Sequence, residues 1–285
     1  MQESGADDIV VDAQWTGISS GTERLLWAGR MPAFPGMGYP LVPGYETVAR
    51  VSRRKNGFAE GDLVFVPGAN CYENVRGLFG GAAKHIVLPA KRVIPLRNVD
   101  AESGILIALA ATAHHAIAGT GASLPELIVG HGILGRLIAR LTLALGGQAP
   151  AVWEKAPARR LRATGYTVIA PEDDARRDYN TIMDASGAGE LLDTLITRLA
   201  KGGEITLAGF YEAPLSFTFP PAFMREARIR IAAEFTRDDL NAVMDLISSG
   251  RLSLAGLITD RAKAADAPAA YARAFTDPSC IKMAL

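Results

Sequence analysis

The sequence predicts an α/β protein with two domains, one β-rich and one built on a doubly wound parallel sheet. Up to about residue 100, short strand-like runs are separated by turn signals, which is typical of a compact β-rich barrel or sandwich. After Asp100, apolar strands alternate with helical segments, which indicates a parallel sheet with helical crossovers. With 285 residues, of which 49% are hydrophobic, the chain is long enough to form two cores.

The first hundred residues contain apolar or alternating runs between Gly, Pro and Asp turns. The predicted strands span 9–15, 43–51, 61–67, 84–88 and 92–96. A helical turn is predicted at 24–28. Residues 31–40 contain three prolines and two glycines, and this composition predicts an ordered loop.

The rest of the chain begins with an alanine-rich helix, predicted at 103–117. The strands that follow are predicted at 127–130, 149–153, 166–170, 180–184, 203–209 and 229–235. Helices are predicted between them at 135–145, 155–163 and 188–200, and further on at 238–249 and 268–275, before a final strand at 280–285. Six strands with helical crossovers fit a doubly wound sheet.

The second domain is organised around the run LIVGHGILG at 127–135, which an amphipathic segment follows. Gly130 permits a tight turn, Gly132 lets the backbone approach a pyrophosphate, and Gly135 lets the helix pack closely on the sheet. The free N–H groups at the helix start supply an anion site. The order strand, glycines, helix favours a Rossmann dinucleotide site over a glycine-punctuated turn in some other α/β protein.

The predicted cofactor is NAD. Glu154 follows a predicted strand, 19 positions after Gly135, where an acid that binds the ribose hydroxyls is expected. This carboxylate repels a 2′-phosphate, whereas the nearby Lys155, Arg159 and Arg160 would attract one; the acid at the strand end carries more weight. His131 could approach the cofactor phosphates or simply serve turn geometry. The predicted cofactor-binding residues are Gly130, His131, Gly132, Ile133, Leu134, Gly135, Glu154 and Lys155.

Composition excludes several other classes. Lys and Arg total 30, as do Asp and Glu, so no nucleic-acid partner is indicated. The two cysteines, Cys71 and Cys280, can form no disulfide framework and match no metal spacing. The longest apolar run, at 105–111, is far shorter than the ~20 residues that span a bilayer. The N-terminus is polar and acidic, unlike a signal peptide. We therefore expect a cytoplasmic protein without a transmembrane segment.

The chain resembles the medium-chain dehydrogenase/reductase superfamily. The resemblance lies in GIS at 17–19, PGYE at 43–46, GDLV at 61–64, TAHH at 112–115, the glycine run, MDASG at 183–187 and KGGEITLAG at 201–209. It implies a GroES-like barrel domain at 1–101 and 236–285, with a Rossmann domain inserted at 102–235. It also leaves room for a homodimer, since dimers are common in the superfamily.

Three further runs are similar to a narrower dehydrogenase family of bacteriochlorophyll biosynthesis. They are GISSGTERLLWAG at 17–29, FPGMGYPLVPGYE at 34–46 and LFGGAA at 78–83. This resemblance implies a tetrapyrrole substrate, whose 1-hydroxyethyl group is oxidised to acetyl with NAD. Members usually begin with an extra strand pair, so we expect an N-terminal hairpin to be missing from this chain.

The resemblance implies no metal site. Zinc alcohol dehydrogenases of the superfamily bind catalytic zinc through Cys, His or Glu, and Cys. In this chain these positions hold Ser19, Tyr45 with Glu46, and the alanine-rich stretch 108–110. Neutral hydroxyls and alanines cannot form the tetrahedral N/S site that zinc prefers.

Oxidation of an alcohol without a metal still needs a group that takes the proton. The predicted catalytic residues are Ser20, Thr22, Tyr45 and Glu46, with His85 as a further candidate. Ser20 and Thr22 stand where zinc relatives keep a proton-relay hydroxyl, and Tyr45 and Glu46 occupy the former metal motif. For each a structural alternative remains: Glu46 could anchor a loop and Tyr45 could line the pocket. His114 and His115 are expected to pack in their helix.

The predicted substrate-binding residues are Trp27, Phe34, Tyr39 and Phe79, with Met31, Met37, Phe210 and Tyr211 as further candidates. A flat macrocycle needs a broad apolar cleft lined by aromatic residues, although any one of these side chains could be ordinary core. Arg24, Arg30 and Arg76 are candidates to bind a propionate, or are solvated surface charges.

The resemblance favours a zinc-free, NAD-dependent alcohol dehydrogenase acting on a bacteriochlorophyllide precursor. Two alternatives remain open. One is a zinc-free quinone or enoyl reductase of the same superfamily. The other is a non-enzymatic protein that binds a nucleotide or a tetrapyrrole.

Overall fold

The computed structural model describes residues 4–33, 35–119 and 123–285. Its contacts divide the chain into two compact units. Unit 1 comprises residues 1–108 and 254–285, and unit 2 comprises residues 109–253. The junctions between the units, after residues 108 and 253, fall later along the chain than the predicted domain boundaries after residues 101 and 235. Those boundaries remain predictions.

Most regular elements of unit 1 are strands, whereas unit 2 alternates strands and helices. The first part of unit 1 contains β1 (Asp8–Ile18), α1 (Thr22–Trp27), β2 (Leu41–Val42), β3 (Thr47–Val51), β4 (Leu63–Val66), β5 (Arg76–Gly77), β6 (His85–Pro89) and β7 (Ile94–Pro95). Helix α2 (Ile107–Ala118) leads into unit 2, which contains β8 (Leu127–Val129), α3 (Ile133–Ala144), β9 (Ala151–Trp153), α4 (Pro157–Arg160), β10 (Thr167–Ile169), β11 (Tyr179–Asp184), α5 (Leu192–Arg198), β12 (Leu199–Leu207), α6 (Phe219–Arg225), β13 (Arg228–Ile231) and α7 (Arg237–Ser248). The chain returns to unit 1 with β14 (Asp260–Arg261), α8 (Ala267–Thr276) and β15 (Met283–Ala284).

Unit 1 is built around β1, which has antiparallel partners on both sides. Strand β3 pairs along one side, while β6 and β15 pair with successive parts of the other, so that Ile9 lies opposite Leu88 and Gly17 opposite Ala284. Strand order in this sheet is β14-β15-β1-β3-β4-β7, with β6 also on β1. The pairing with β15 brings the last residues of the chain beside the segment that leads into α1.

Unit 2 contains a six-stranded sheet in the order β10-β9-β8-β11-β12-β13, and every pair in it is parallel. This is the strand order of a Rossmann domain. Val129 lies beside both Trp153 and Asp184, so β8, β9 and β11 end level with one another. The glycine loop and Glu154 therefore leave the sheet at the same edge. The predicted fold class is confirmed.

Two predicted helices differ in length from those observed. The helix expected at 155–163 is only α4, because the carbonyl groups of Arg159 and Leu161 accept hydrogen bonds from the buried Arg136 guanidinium and Arg162 has a φ of +65°. The helix expected to reach residue 200 ends at Arg198, where the backbone becomes extended and β12 begins.

Cys71 and Cys280 are buried free thiols. Among the described residues, no helix combines the length and apolar character needed to span a membrane.

Candidate functional site

The glycine loop of unit 2 forms an open backbone cradle at the start of α3. Gly130 has a φ of +94°, a conformation that favours glycine. A Cβ on Gly135 would lie 1.8 Å from the Gly130 carbonyl oxygen, so only glycine allows this close approach of helix and loop. A Cβ on Gly132 would meet nothing within 4 Å. The first N–H groups of α3 have no acceptor within the helix, so the loop suits an anionic group.

Glu154 is held at the edge of this loop. Its Oε2 accepts a hydrogen bond from the His131 N–H at 3.1 Å, and its Oε1 accepts one from the Ala156 N–H at 2.8 Å. The guanidinium of Arg160 donates to the carbonyl groups of Glu154 and Lys155. Two backbone N–H groups thus fix the Glu154 carboxylate, the group predicted from the sequence to bind the ribose. The bonds to the backbone carbonyl groups fix Arg160, one of the basic residues that could attract a 2′-phosphate.

His131 is buried, and both of its ring nitrogens are occupied. Nδ1 lies 2.6 Å from the Arg159 carbonyl oxygen, and Nε2 lies 2.8 Å from the Tyr166 hydroxyl. Burial, and then the charge of Arg136, lower the pKa of His131 to about 4. The neutral ring therefore contacts both α4 and the segment after it, and these contacts leave no ring nitrogen for a cofactor phosphate.

His114 and His115 both contact the carboxylate of Asp239 and so have a structural role. Their Nδ1 atoms lie 2.7 and 2.9 Å from the two carboxylate oxygens of Asp239, which also forms a capping box with Thr236 at the start of α7. Burial would raise the pKa of Asp239, but hydrogen bonds from Thr236 and the two histidines lower it to about 2. This carboxylate joins α2 to α7 within unit 2.

Tyr211, a further substrate-binding candidate, has a partner of its own. Its hydroxyl donates to Asp184 Oδ2 at 2.8 Å, and the Ser186 N–H donates to Oδ1 at 2.8 Å. Burial raises the pKa of Asp184. Asp184 had no role predicted from the sequence beyond its place in the MDASG run, although it ends β11 beside the glycine loop.

In unit 1 the structure brings several predicted catalytic side chains together. The Tyr45 hydroxyl lies 2.5 Å from Ser19 Oγ and within hydrogen-bonding reach of Thr22. The Phe79 ring packs edge-on against Tyr45 with centroids 5.0 Å apart. Burial, and then the neighbouring Glu46, raise the pKa of Tyr45, so its hydroxyl stays protonated. Ser20 is half-buried just before α1.

Glu46 occupies a closed interior position and pairs with Lys282. Both side chains are essentially inaccessible, at 0% and 1% exposed. The Lys282 ammonium donates to Glu46 Oε2 and, at 3.0 Å, to the Ile18 carbonyl oxygen. The anchoring role considered for Glu46 is therefore present: it ties the segment before β3 to the C-terminal residues. Lys282 was not among the residues predicted from the sequence to have a functional role. The apolar residues on both sides of it, in the run CIKMAL at 280–285, could have indicated a buried lysine.

Glu23 is a second buried carboxyl in unit 1, and it too was missed. Its Oε1 accepts a hydrogen bond from the Ser19 N–H at 3.3 Å, and the Tyr271 hydroxyl lies nearby. Burial, and then the charge of Glu46, raise the pKa of Glu23 to about 8. These groups come from α1, from the residue before β3 and from α8, so only the tertiary fold makes them neighbours.

The donor set does not suit a metal. Across residues 4–33, 35–119 and 123–285, no three His, Cys, Asp or Glu side chains are arranged to hold one. Ser19 and Tyr45, two of the residues at the positions predicted to correspond to zinc ligands of relatives, hydrogen bond to each other. His85 is likewise engaged elsewhere, since its Nδ1 lies 2.5 Å from Asp12 Oδ1 on the neighbouring strand.

The predicted substrate-binding residues have different surroundings. Trp27 is 60% exposed and stacks on Tyr271, with centroids 5.7 Å apart and an interplanar angle of 10°. Tyr39 is also exposed and borders a cavity of about 570 Å³ that Tyr72, Arg76 and Leu78 line with it. Phe34 lies outside the described residues.

Two of the further substrate-binding candidates, Met31 and Met37, pack in or against the hydrophobic core of unit 1. Met31 is buried with Leu25 and Leu26, and Met37 packs against the same cluster. Trp27 and Tyr39 are instead available at the surface of unit 1.

Comparisons with known proteins agree with this architecture. Residues 5–98 match the model of the alcohol dehydrogenase GroES-like domain. The chain is 58% identical to 2-desacetyl-2-hydroxyethyl bacteriochlorophyllide A dehydrogenase of Rhodobacter capsulatus, over 100% of this chain and 92% of that protein. It is 56% identical to the Cereibacter sphaeroides protein of the same name, with the same coverage. The solved acetophenone reductase of Geotrichum candidum in complex with NAD has a similar fold: its TM-score is 0.84 at 19% identity, over 99% of this chain and 90% of that one.

Proposed function

The chain belongs to the bacteriochlorophyllide a dehydrogenase family of the medium-chain dehydrogenase/reductase superfamily, and on that premise we propose that it is an NAD-dependent, zinc-free alcohol dehydrogenase. Its substrate is the 1-hydroxyethyl side chain of a bacteriochlorophyllide precursor, which it oxidises to acetyl. Identity above 55% to two relatives named for this substrate, over the whole chain, supports the substrate assignment.

The observation that carries the reaction class is the Glu154 carboxylate, held by two backbone donors beside the open glycine loop. The N–H groups at the start of α3 fit a pyrophosphate, and Gly132 has no side chain to obstruct its approach. The lone pairs of Glu154 can accept hydrogen bonds from both ribose hydroxyls. A bound NAD supplies the hydride acceptor for the alcohol carbon.

Unit 1 supplies the groups for the alcohol. The neutral Tyr45 hydroxyl can both donate and accept a hydrogen bond, and Ser19 and Thr22 orient it. This replaces the polarising role of a metal by hydrogen bonding. Trp27, stacked on Tyr271 and more than half exposed, offers a flat apolar surface for one side of the macrocycle.

Replacing Glu154 with serine tests the cofactor assignment. Hydrogen bonds to a charged group contribute about 1.5–3 kcal/mol, so we expect the ratio of kcat/KM for NAD to that for NADP to fall about ten- to a hundredfold. Steady-state kinetics with both cofactors measures this ratio. Glu172→Ser, at an exposed acid of the same unit, serves as the matched control and should leave it unchanged. An unaltered ratio in Glu154→Ser would refute the assignment.

A further inference from the structure

Three ionisable side chains form a closed cluster inside unit 1. Glu23, Glu46 and Lys282 are 2%, 0% and 1% exposed. They come from α1, from the residue before β3, and from the residue before β15. The Lys282 ammonium pairs with Glu46, and its charge also acts on Glu23. An ion pair with a purely structural role would not need this second buried carboxyl group.

The cluster has an excess of acceptors. Among the described residues, Glu23 Oε2 and Glu46 Oε1 are buried without a hydrogen-bond partner. Full ionisation of both carboxyl groups would leave a net charge of −1 in the interior, which burial penalises. The cluster therefore favours holding one proton. Accordingly, the pKa of Glu23 rises to about 8 through burial and the charge of Glu46. The pKa of Glu46 is also raised, because the effect of burial outweighs the opposing effects of Lys282 and Ser19.

Hydrogen-bonding groups connect the cluster to the Tyr45 hydroxyl. The Ser19 N–H donates to Glu23 at 3.3 Å, its side chain lies beside the Glu46 carboxyl, and its Oγ lies 2.5 Å from the Tyr45 hydroxyl. On the other side, the half-buried Tyr271 hydroxyl lies close to Glu23, and burial and then the charge of Glu23 raise the pKa of Tyr271. These groups form a path from the half-buried Tyr45, through the interior, to the half-buried Tyr271.

We propose that Glu23, Glu46 and Lys282 act together as the proton acceptor of the alcohol oxidation, receiving the proton through Tyr45 and Ser19 and releasing it through Tyr271. This inference rests on the proposed function. In the step, the carbinol C–H bond breaks and its hydride, with both electrons, reduces NAD to NADH. The O–H bond breaks, its proton enters the path, and a carbon–oxygen double bond forms. No further reactant is needed.

The charge of the cluster sets the direction of its pH dependence. With both carboxyl groups ionised the cluster carries −1, and taking up the substrate proton makes it neutral. The groups that act on Glu23 are Glu46, Lys282, Ser19 and Tyr271. Oxidation should therefore become faster as pH rises through about 8, the pKa of Glu23, and reduction of the acetyl group should become slower.

Glu23→Gln tests the proposal, because glutamine keeps the shape of the protonated carboxyl group and cannot titrate. We expect kcat for oxidation to fall about a hundredfold, the lower end of what a positioned base contributes. The rise in kcat near pH 8 should disappear, while KM for NAD and for the chlorin stay within about twofold. Tyr271→Phe should lower kcat and keep the inflection. A merely structural Glu23 would leave the inflection in place, and an unchanged kcat profile in Glu23→Gln would overturn the proposal.

Infrared spectroscopy of the protein alone gives a second readout, independent of substrate and cofactor. The wild type should show the C=O stretch of a buried protonated carboxylic acid, lost as pH rises through about 8. Glu23→Gln should lack this band, and Glu60→Gln, at an exposed acid of unit 1, should keep it. Absence of the band in the wild type would overturn the proposal. A normal band in a protein that does not oxidise the chlorin would instead count against the proposed function.

Discussion

Lys282→Met is expected to lower the free energy of unfolding by about 3–5 kcal/mol, the usual cost of breaking a buried ion pair by removing one partner. Methionine retains most of the side-chain volume, so the loss arises from the Glu46 carboxylate, which stays buried without its ammonium partner. Glu46 can relieve the penalty by taking up a proton, so the loss should shrink as pH falls. Urea unfolding at several pH values measures both effects.

A double variant separates the charge effect from lost packing. Replacing both partners, with Glu46→Leu and Lys282→Met together, should restore most of the stability, because buried ion pairs are commonly exchanged for apolar side chains at little cost. The exposed Lys263→Met provides the matched control and should change the free energy of unfolding by no more than about 0.5 kcal/mol. A loss below about 1 kcal/mol in Lys282→Met would show that the pair does not exist as described.

Gly135→Ala is expected to disrupt both stability and cofactor binding in unit 2. The new Cβ would lie 1.8 Å from the Gly130 carbonyl oxygen, a backbone atom that can move only if the whole glycine loop moves. Overpacking of this kind costs about 1–3 kcal/mol. We expect the melting temperature to fall and the Kd for NAD to rise by at least about tenfold, measured by thermal unfolding and titration calorimetry.

Gly132→Ala distinguishes packing from cofactor approach. At Gly132 the backbone has a φ of −72° and a Cβ would meet nothing within 4 Å, so alanine fits the protein without strain. Its methyl group would stand where the pyrophosphate approaches the loop. Gly132→Ala should therefore keep the wild-type melting temperature and still weaken NAD binding. Wild-type NAD affinity in both variants would contradict the placement of the cofactor.

The parts of the fold that depend on local pattern were predictable from the sequence. The glycine run required a strand before it and a helix after it, and β8 and α3 stand there. The length of α4 was not predictable in this way. It is set by carbonyl groups that turn toward Arg136, more than 20 residues earlier in the chain.

In the candidate site of unit 1, too, the features set by local motifs were predictable and those set by distant contacts were not. The motifs GIS and PGYE pointed to Ser19 and Tyr45, which hydrogen bond to each other. The partner of Glu46 is Lys282, 236 residues away, and only the pairing of β1 with β15 brings them together. No local periodicity or residue spacing predicts a contact between residues so far apart in the sequence.

Turnover of a 1-hydroxyethyl bacteriochlorophyllide with NAD, in the presence of a metal chelator, tests the central claim most directly. The red absorption band of the chlorin and the absorbance of NADH are followed together. We predict that acetyl product and NADH form in equal amounts at a rate the chelator leaves unchanged. The claim would be contradicted by inhibition through chelation, or by a protein that leaves the chlorin unchanged while it reduces quinones or enoyl substrates.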